Sequence, residues 1–216
     1  MMFTNLNASA YGHSSIFYNA EFEEILSKLI ACYNTMISDN VSLSNNENKI
    51  RDYMLYNYLK KQTFKVQHRV TNYLFDSELP ENTGRIDIRV MPINPFVNDD
   101  AYYIIECKRL DAVNQNGTSG LNSEYIKEGV SRFVSTKYST YYKTNGMIGF
   151  VVQTMDINQN IGAINSLLES KANTTRKLFN RSIVSNFDYS YCSTHSLNDD
   201  EILIYHLMFD FSKNIK

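Results

Sequence analysis

Apolar residues recur at three- and four-residue spacing through residues 17–38, where Phe22, Ile25, Leu26, Leu29, Ile30 and Tyr33 share one face. That period predicts an amphipathic helix. The polar run "SLSNNEN" interrupts it and offers N-cap residues for a second helix over about 46–61. Ile50, Tyr53, Met54, Asn57 and Tyr58 form the stripe of that helix, and Lys60 and Lys61 at its end suit the helix dipole. The period then falls from 3.6 to 2. "TFKVQHRVTNYLF" alternates loosely and predicts a strand, "DSELPENTG" is a turn-rich connection, and "RIDIRV" alternates cleanly. Its Ile86, Ile88 and Val90 oppose Arg85, Asp87 and Arg89. "MPINPFVNDDA" is a loop, "YYIIECK" a strand and "NQNGTSG" a flexible loop. A helix is predicted over 121–143, with Gly146 as a C-terminal stop. "MIGFVVQ" is a short apolar strand of the kind buried on both faces. A further helix covers about 159–171, and residues 172–200 are polar and without a clear period. "EILIYHLMFDF" closes the chain as a strand over about 201–212.

The order is helix, strand, strand, strand, helix, strand. No repeat and no Pro- or Gly-rich linker divides the chain, so a single α/β domain over 1–216 is expected. Its 216 residues, 43% hydrophobic, suffice for one sizeable core. The net charge of −2 and a pI of about 6.1 give no global argument for a polyanionic partner. Cys32, Cys107 and Cys192 lie far apart, so neither a disulfide framework nor a zinc spacing is read. The first residues lack the basic and apolar runs of a signal peptide, and no apolar stretch reaches the roughly 18 residues of a membrane span. The expected setting is a soluble, reduced cytoplasmic protein with no membrane partner.

The chemistry lies in "IECKRLD", residues 105–111. Alternation puts Ile104, Glu106 and Lys108 on one face of an otherwise apolar strand. If that strand pairs with "RIDIRV", Asp87 and Glu106 converge. Converging carboxylates repel unless a cation lies between them, and a hard divalent ion such as magnesium suits oxygen ligands. Lys108 is one pleat further on, within reach of a water or a phosphate oxygen. Those parts suffice for metal-assisted hydrolysis of a phosphodiester.

"GRIDIRV" followed by "YYIIECKRL", set between helices, resembles the PD-(D/E)XK nuclease superfamily with its restriction-endonuclease-like fold. The likeness spans roughly residues 45–155 and departs from the pattern where Ile86, not proline, precedes Asp87. It implies a mixed four- to five-stranded sheet flanked by helices, with an α-β-β-β-α-β core. It further implies Asp87 and Glu106 as metal ligands, the peptide carbonyl of Cys107 as another, and Lys108 as the catalytic lysine. Glu47 stands where many members carry an acid on the first core helix. The implied cofactor is Mg2+, with Mn2+ as a substitute. The implied partner is DNA, cut by an endonuclease of a restriction or anti-phage system that acts as a homodimer or with a partner subunit.

Each residue also has a plainer reading. Glu106 and Lys108 can be a strand-end pair, Asp87 can pair with Arg85 or Arg89, and an acid at Glu47 suits a helix start by the dipole alone. Cys107 reads as a small buried hydrophobe. Glu124, Glu128, Arg132 and Lys137 are candidates to face the site, with Arg132 and Lys137 as phosphate contacts, although Glu128 and Arg132 also make an i,i+4 pair. Tyr138, Tyr141 and Tyr142 can stack on bases or fill the core. His206 reads as a hydrogen-bonded core residue. The competing function is a catalytically silent nuclease-fold protein that binds nucleic acid or a partner protein.

Overall fold

The apolar stripe of residues 17–38 forms helix α1 (Ser14–Ser38), which buries Phe22, Ile25, Leu26, Leu29 and Ile30. The computed structural model describes residues 14–81, 84–93, 101–135, 137–138, 141–169, 172–198 and 200–216. The N-terminal stretch and most of the proline-bearing loop therefore lie outside the described residues. So do parts of the expected helices, at 136, 139–140 and 170–171.

Helix α2 (Glu47–Met54) starts at Asn46, whose side chain accepts the Lys49 N–H, and runs into a π-helical turn, Leu55–Leu59. The wider turn shifts the phase of the stripe: Leu55 and Leu59 are buried, while Asn57, expected inside, is exposed. The loosely alternating stretch after it is not a strand at its start. Gln62–His68 is a short helix, α3, ended by Arg69 in the left-handed region. Only Phe64 of that helix is buried and Val66 is 62% exposed, so one anchor side chain decided the local structure rather than the alternation.

Strands β1 (Tyr73–Glu81) and β2 (Gly84–Pro92) form a long antiparallel hairpin, so "DSELPE" is strand rather than connection. β2 pairs antiparallel with β3 (Tyr103–Leu110), as the site argument requires. Helix α4 (Leu121–Tyr125), a second π turn (Ile126–Val130) and helix α5 (Ser131–Val134) then lead to β4 (Thr144–Val151), which lies parallel to β3. The helix expected over 121–143 ends at Val134. Helix α6 (Ile157–Leu168) is capped by Asp156. The unassigned polar region supplies β5 (Thr174–Asn180) and β6 (Ser190–Leu197), and β7 (Asp200–Asp210) ends the sheet-forming chain.

These elements make a mixed α/β fold. One seven-stranded sheet, in the order β1-β2-β3-β4-β7-β6-β5, replaces the expected four or five strands. One apolar cluster packs α1 and α2 against Tyr103, Ile105 and Cys107. The other packs α4 to α6 against Ile104, Met147 and Val151 on the opposite face. Ile88 and Val90 join the first cluster but Ile86 joins the second, so β2 does not keep one face throughout. Among the described residues, no helix is long and apolar enough to cross a membrane.

A polar chain crosses the second cluster. His195 Nδ1 is 2.9 Å from the Ala172 carbonyl, which can only accept, so this nitrogen carries the proton. His195 Nε2 then accepts from Ser193 Oγ at 2.7 Å. Ser193 Oγ in turn accepts from His206 Nε2 at 2.8 Å, and His206 Nδ1 accepts from Tyr125 at 2.8 Å. Every member is satisfied with both imidazoles neutral, and burial holds both below the usual histidine range. Ser193→Ala leaves two buried imidazole nitrogens unpaired and is expected to cost about 1–3 kcal/mol in urea unfolding at neutral pH. A loss under about 0.5 kcal/mol, the range of ordinary surface changes, would show that the chain is not closed as described.

Candidate active site

β2 and β3 stay in register from Val90↔Tyr103 to Ile88↔Ile105 and pair no further. Asp87 is the next residue. Its Oδ2 accepts the Cys107 N–H at 2.8 Å, so a side chain takes the place of the missing ladder partner. This fixes Asp87 beside Glu106 where the two strands part. The other oxygen, Oδ1, accepts from Arg51 of α2 at 3.0 Å.

Glu106 has no solvent exposure. Its Oε1 accepts from Lys108 Nζ and from Arg132, both at 2.9 Å, and its Oε2 lies 2.8 Å from the Tyr138 hydroxyl. Arg132 also donates to the Tyr138 oxygen at 2.7 Å. Burial, and after it the charge of Asp87, push the Glu106 carboxyl up to about 7 against the pull of Lys108 and Arg132.

Lys108 Nζ is the centre of the arrangement. It donates to Glu106 at 2.9 Å, to the Cys107 carbonyl at 2.9 Å and to Glu47 at 3.1 Å, and lies 3.9 Å from Asp87 Oδ2. Glu47, in the first turn of α2, is anchored by its second oxygen on the Arg109 N–H at 3.0 Å. Surrounding carboxylates hold the ammonium charged despite its burial. The expected ligands Asp87, Glu106 and the Cys107 carbonyl, with Glu47 beside them, therefore all surround a cation already present, the protein's own ammonium.

Among the described residues, no group of three or more His, Cys, Asp or Glu is arranged to hold a metal ion. The physical reason is the ammonium, which occupies the centre, together with Arg51 and Arg132, each of which draws a carboxylate outward. The donor set itself is all oxygen and hard, which suits magnesium or manganese.

The ring opens on a cleft of about 700 Å³ whose walls include Glu47, Lys108, Arg109, Glu124, Glu128 and Arg132. Of the residues expected from sequence, the fold brings Glu47, Asp87, Glu106, Lys108 and the Cys107 carbonyl together. Arg132 reaches the site too, engaged with Glu106 rather than free for a phosphate. Lys137 packs beside Gly84 and is not among the cleft-lining residues. Cys107 is a fully buried thiol pushed well above the usual range by burial. Arg51 and the link from Tyr138 to Glu106 were not read from the sequence.

Comparison with protein-family models, with curated proteins and with solved structures found no match to this chain. The site is accordingly interpreted from its own geometry.

Without metal, a carboxyl whose pKa rises from 4.5 to about 7 on folding contributes stability that is complete below 4.5 and lost as pH rises through 7. The gap between Glu106→Gln and wild type, followed by urea unfolding in EDTA, is expected to move in favour of the variant between pH 4.5 and pH 8. The limit is about 3 kcal/mol. A gap that does not change with pH would show that Glu106 stays ionised throughout.

Proposed function

We propose that the protein is a metal-dependent nuclease with a restriction-endonuclease-like core, hydrolysing phosphodiester bonds in DNA as an endonuclease. The observation that carries this reading is the convergence of Glu47, Asp87, Glu106 and the Cys107 carbonyl on Lys108 Nζ. The observed run of α2, α3, β1, β2, β3, α4, α5 and β4 agrees with the order such a core requires.

Asp87, Glu106 and the Cys107 carbonyl would hold Mg2+ or Mn2+, with Glu47 reaching it directly or through water. Bound there, the cation supplies a Lewis acid for the phosphate and for the attacking water. Lys108, displaced from the ring, keeps its tether to β3 and orients that water as a hydrogen-bond partner. Arg132, held on Glu106, remains at the cleft wall. Among the described cleft-lining residues, Glu47, Asp111, Glu124 and Glu128 outnumber Lys108, Arg109 and Arg132. An acid-rich wall repels phosphates unless cations intervene, which supports metal dependence of substrate binding as well as of cleavage.

One observation favours a second reading. Each acid already has a protein cation, which is how a silent relative that binds nucleic acid or a partner protein would keep its site neutral. Plasmid incubated with the protein in magnesium, and again in EDTA, separates the two: magnesium-dependent cleavage supports the nuclease and metal-independent binding supports the silent relative.

Two variants test the roles. Lys108→Met removes the ammonium from the ring, so manganese should bind more tightly by calorimetry while plasmid cleavage falls by roughly 10²-fold or more. Asp87→Asn keeps an acceptor for Arg51 but loses ligand charge and sets a donor against the Cys107 N–H, so metal affinity and cleavage should fall together. Wild-type cleavage by Lys108→Met would reduce the lysine to a strand-end charge. Undiminished affinity in Asp87→Asn would put the cation elsewhere.

A further inference from the structure

Arg51 lies on the apolar face of α2 beside Ile50 and Met54, and it is fully buried. A guanidinium there is costly. Replacing a buried ion-pair cluster with packed apolar side chains is often neutral or stabilising, so stability alone is a weak reason for it.

All five of its N–H groups have acceptors. Nε donates to Asp52 Oδ1 at 3.0 Å. One terminal nitrogen serves Asn48 at 3.3 Å and Asp87 Oδ1 at 3.0 Å. The other serves Asp52 and Glu78, both at 2.8 Å. Three of these acceptors, Asn48, Asp52 and Glu78, fix the plane of the fork. The fourth is the site carboxylate.

Glu78 adds a second observation. It sits in the left-handed region with φ 58°, between the hairpin pairs Ser77↔Ile88 and Leu79↔Ile86, and so directly across from Asp87. Left-handed backbone in a non-glycine residue costs on the order of 1 kcal/mol. The strained residue directs its carboxylate at Arg51, which orders the fork beside Asp87. With Oδ1 on Arg51 and Oδ2 on the Cys107 N–H, the Asp87 carboxylate is held at both oxygens, and Oδ2 is the one turned toward Lys108.

We propose that Arg51 is a positioning residue: its planar fork, braced by Glu78 and Asp52, sets the orientation of the Asp87 carboxylate for cation binding. The functional meaning rests on the nuclease reading, but the positioning itself is a property of the metal-free protein. It depends on fork geometry, not charge alone, because lysine offers a point charge and three donors where five are used.

The Cys107 amide reports the orientation directly, since its acceptor is Asp87 and not a strand neighbour. The experiment is backbone NMR with hydrogen exchange on metal-free Arg51→Lys and Glu78→Gln, followed by manganese titration of the same samples. In Arg51→Lys, the Cys107 amide should exchange about tenfold faster while its strand neighbours keep their protection. Manganese affinity should fall about tenfold, the effect expected for partners that orient a ligand, with cleavage largely recovered at excess metal. Glu78→Gln should shift both readouts in the same direction by less. A wild-type Cys107 amide and wild-type affinity in Arg51→Lys would overturn the proposal, since charge alone would then suffice. Should Arg51→Lys fail to fold, Glu78→Gln decides on the same amide: faster exchange supports positioning and unchanged exchange overturns it. A wild-type protein that binds no manganese defeats the nuclease reading, and the Cys107 amide still decides the role of Arg51.

Discussion

Glu106 is a carboxylate with no solvent around it, and the surrounding architecture answers that one constraint. An isolated buried carboxylate is prohibitively costly, so the fold must bring cations and donors to it. Lys108 comes from the same strand, Arg132 from α5 and Tyr138 from the segment after α5. The helix ends at Val134, and Tyr138 beyond it places its hydroxyl against Glu106 and Arg132. Asp87 solves a neighbouring problem by taking the Cys107 N–H that the parting of β2 and β3 would otherwise leave bare.

What results is a ring of oxygens with an ammonium inside it. Carboxylates and a peptide carbonyl so close together serve a positive charge, and in the metal-free protein Lys108 provides it. In the proposed nuclease a hard divalent cation would compete with the ammonium for these oxygens by charge and size. On that proposal, a cation entering the ring would free Lys108 to orient the water. Arg51 and Arg132, on the outer side of Asp87 and Glu106, then balance charge around whichever cation is inside.

Much of this was legible in the sequence. The alternation in "RIDIRV" and "YYIIECK" placed Asp87 on one strand and Glu106 and Lys108 on one face of another, the expected pairing of the two strands is present, and the polar break before α2 placed Glu47 at a helix start. Arg51 was not legible because a single arginine beside an apolar stripe reads as a solvated edge; only the tertiary fold shows that Glu78 and Asp87 come to meet it. Helix α3 was missed because Phe64 and Val66 mimic alternation while one of them faces solvent. β6 escaped because its Ser193 and His195 carry polar groups into a buried chain that continues to His206 of β7, and β5 because its Thr, Arg and Lys side chains are mostly exposed; hydropathy registers both as loop. The π turns shifted the helix phases for a similar reason: packing, not local preference, sets them.

The proposed nuclease requires that the oxygens around Lys108 Nζ form a divalent-cation site. Crystals grown without metal and then soaked in manganese would locate the ion by its anomalous signal. The expected result is a peak within coordinating distance of Asp87, Glu106 and the Cys107 carbonyl, with the Lys108 side chain moved out of the ring. A ring still filled by Lys108, with manganese absent or bound elsewhere, would contradict it.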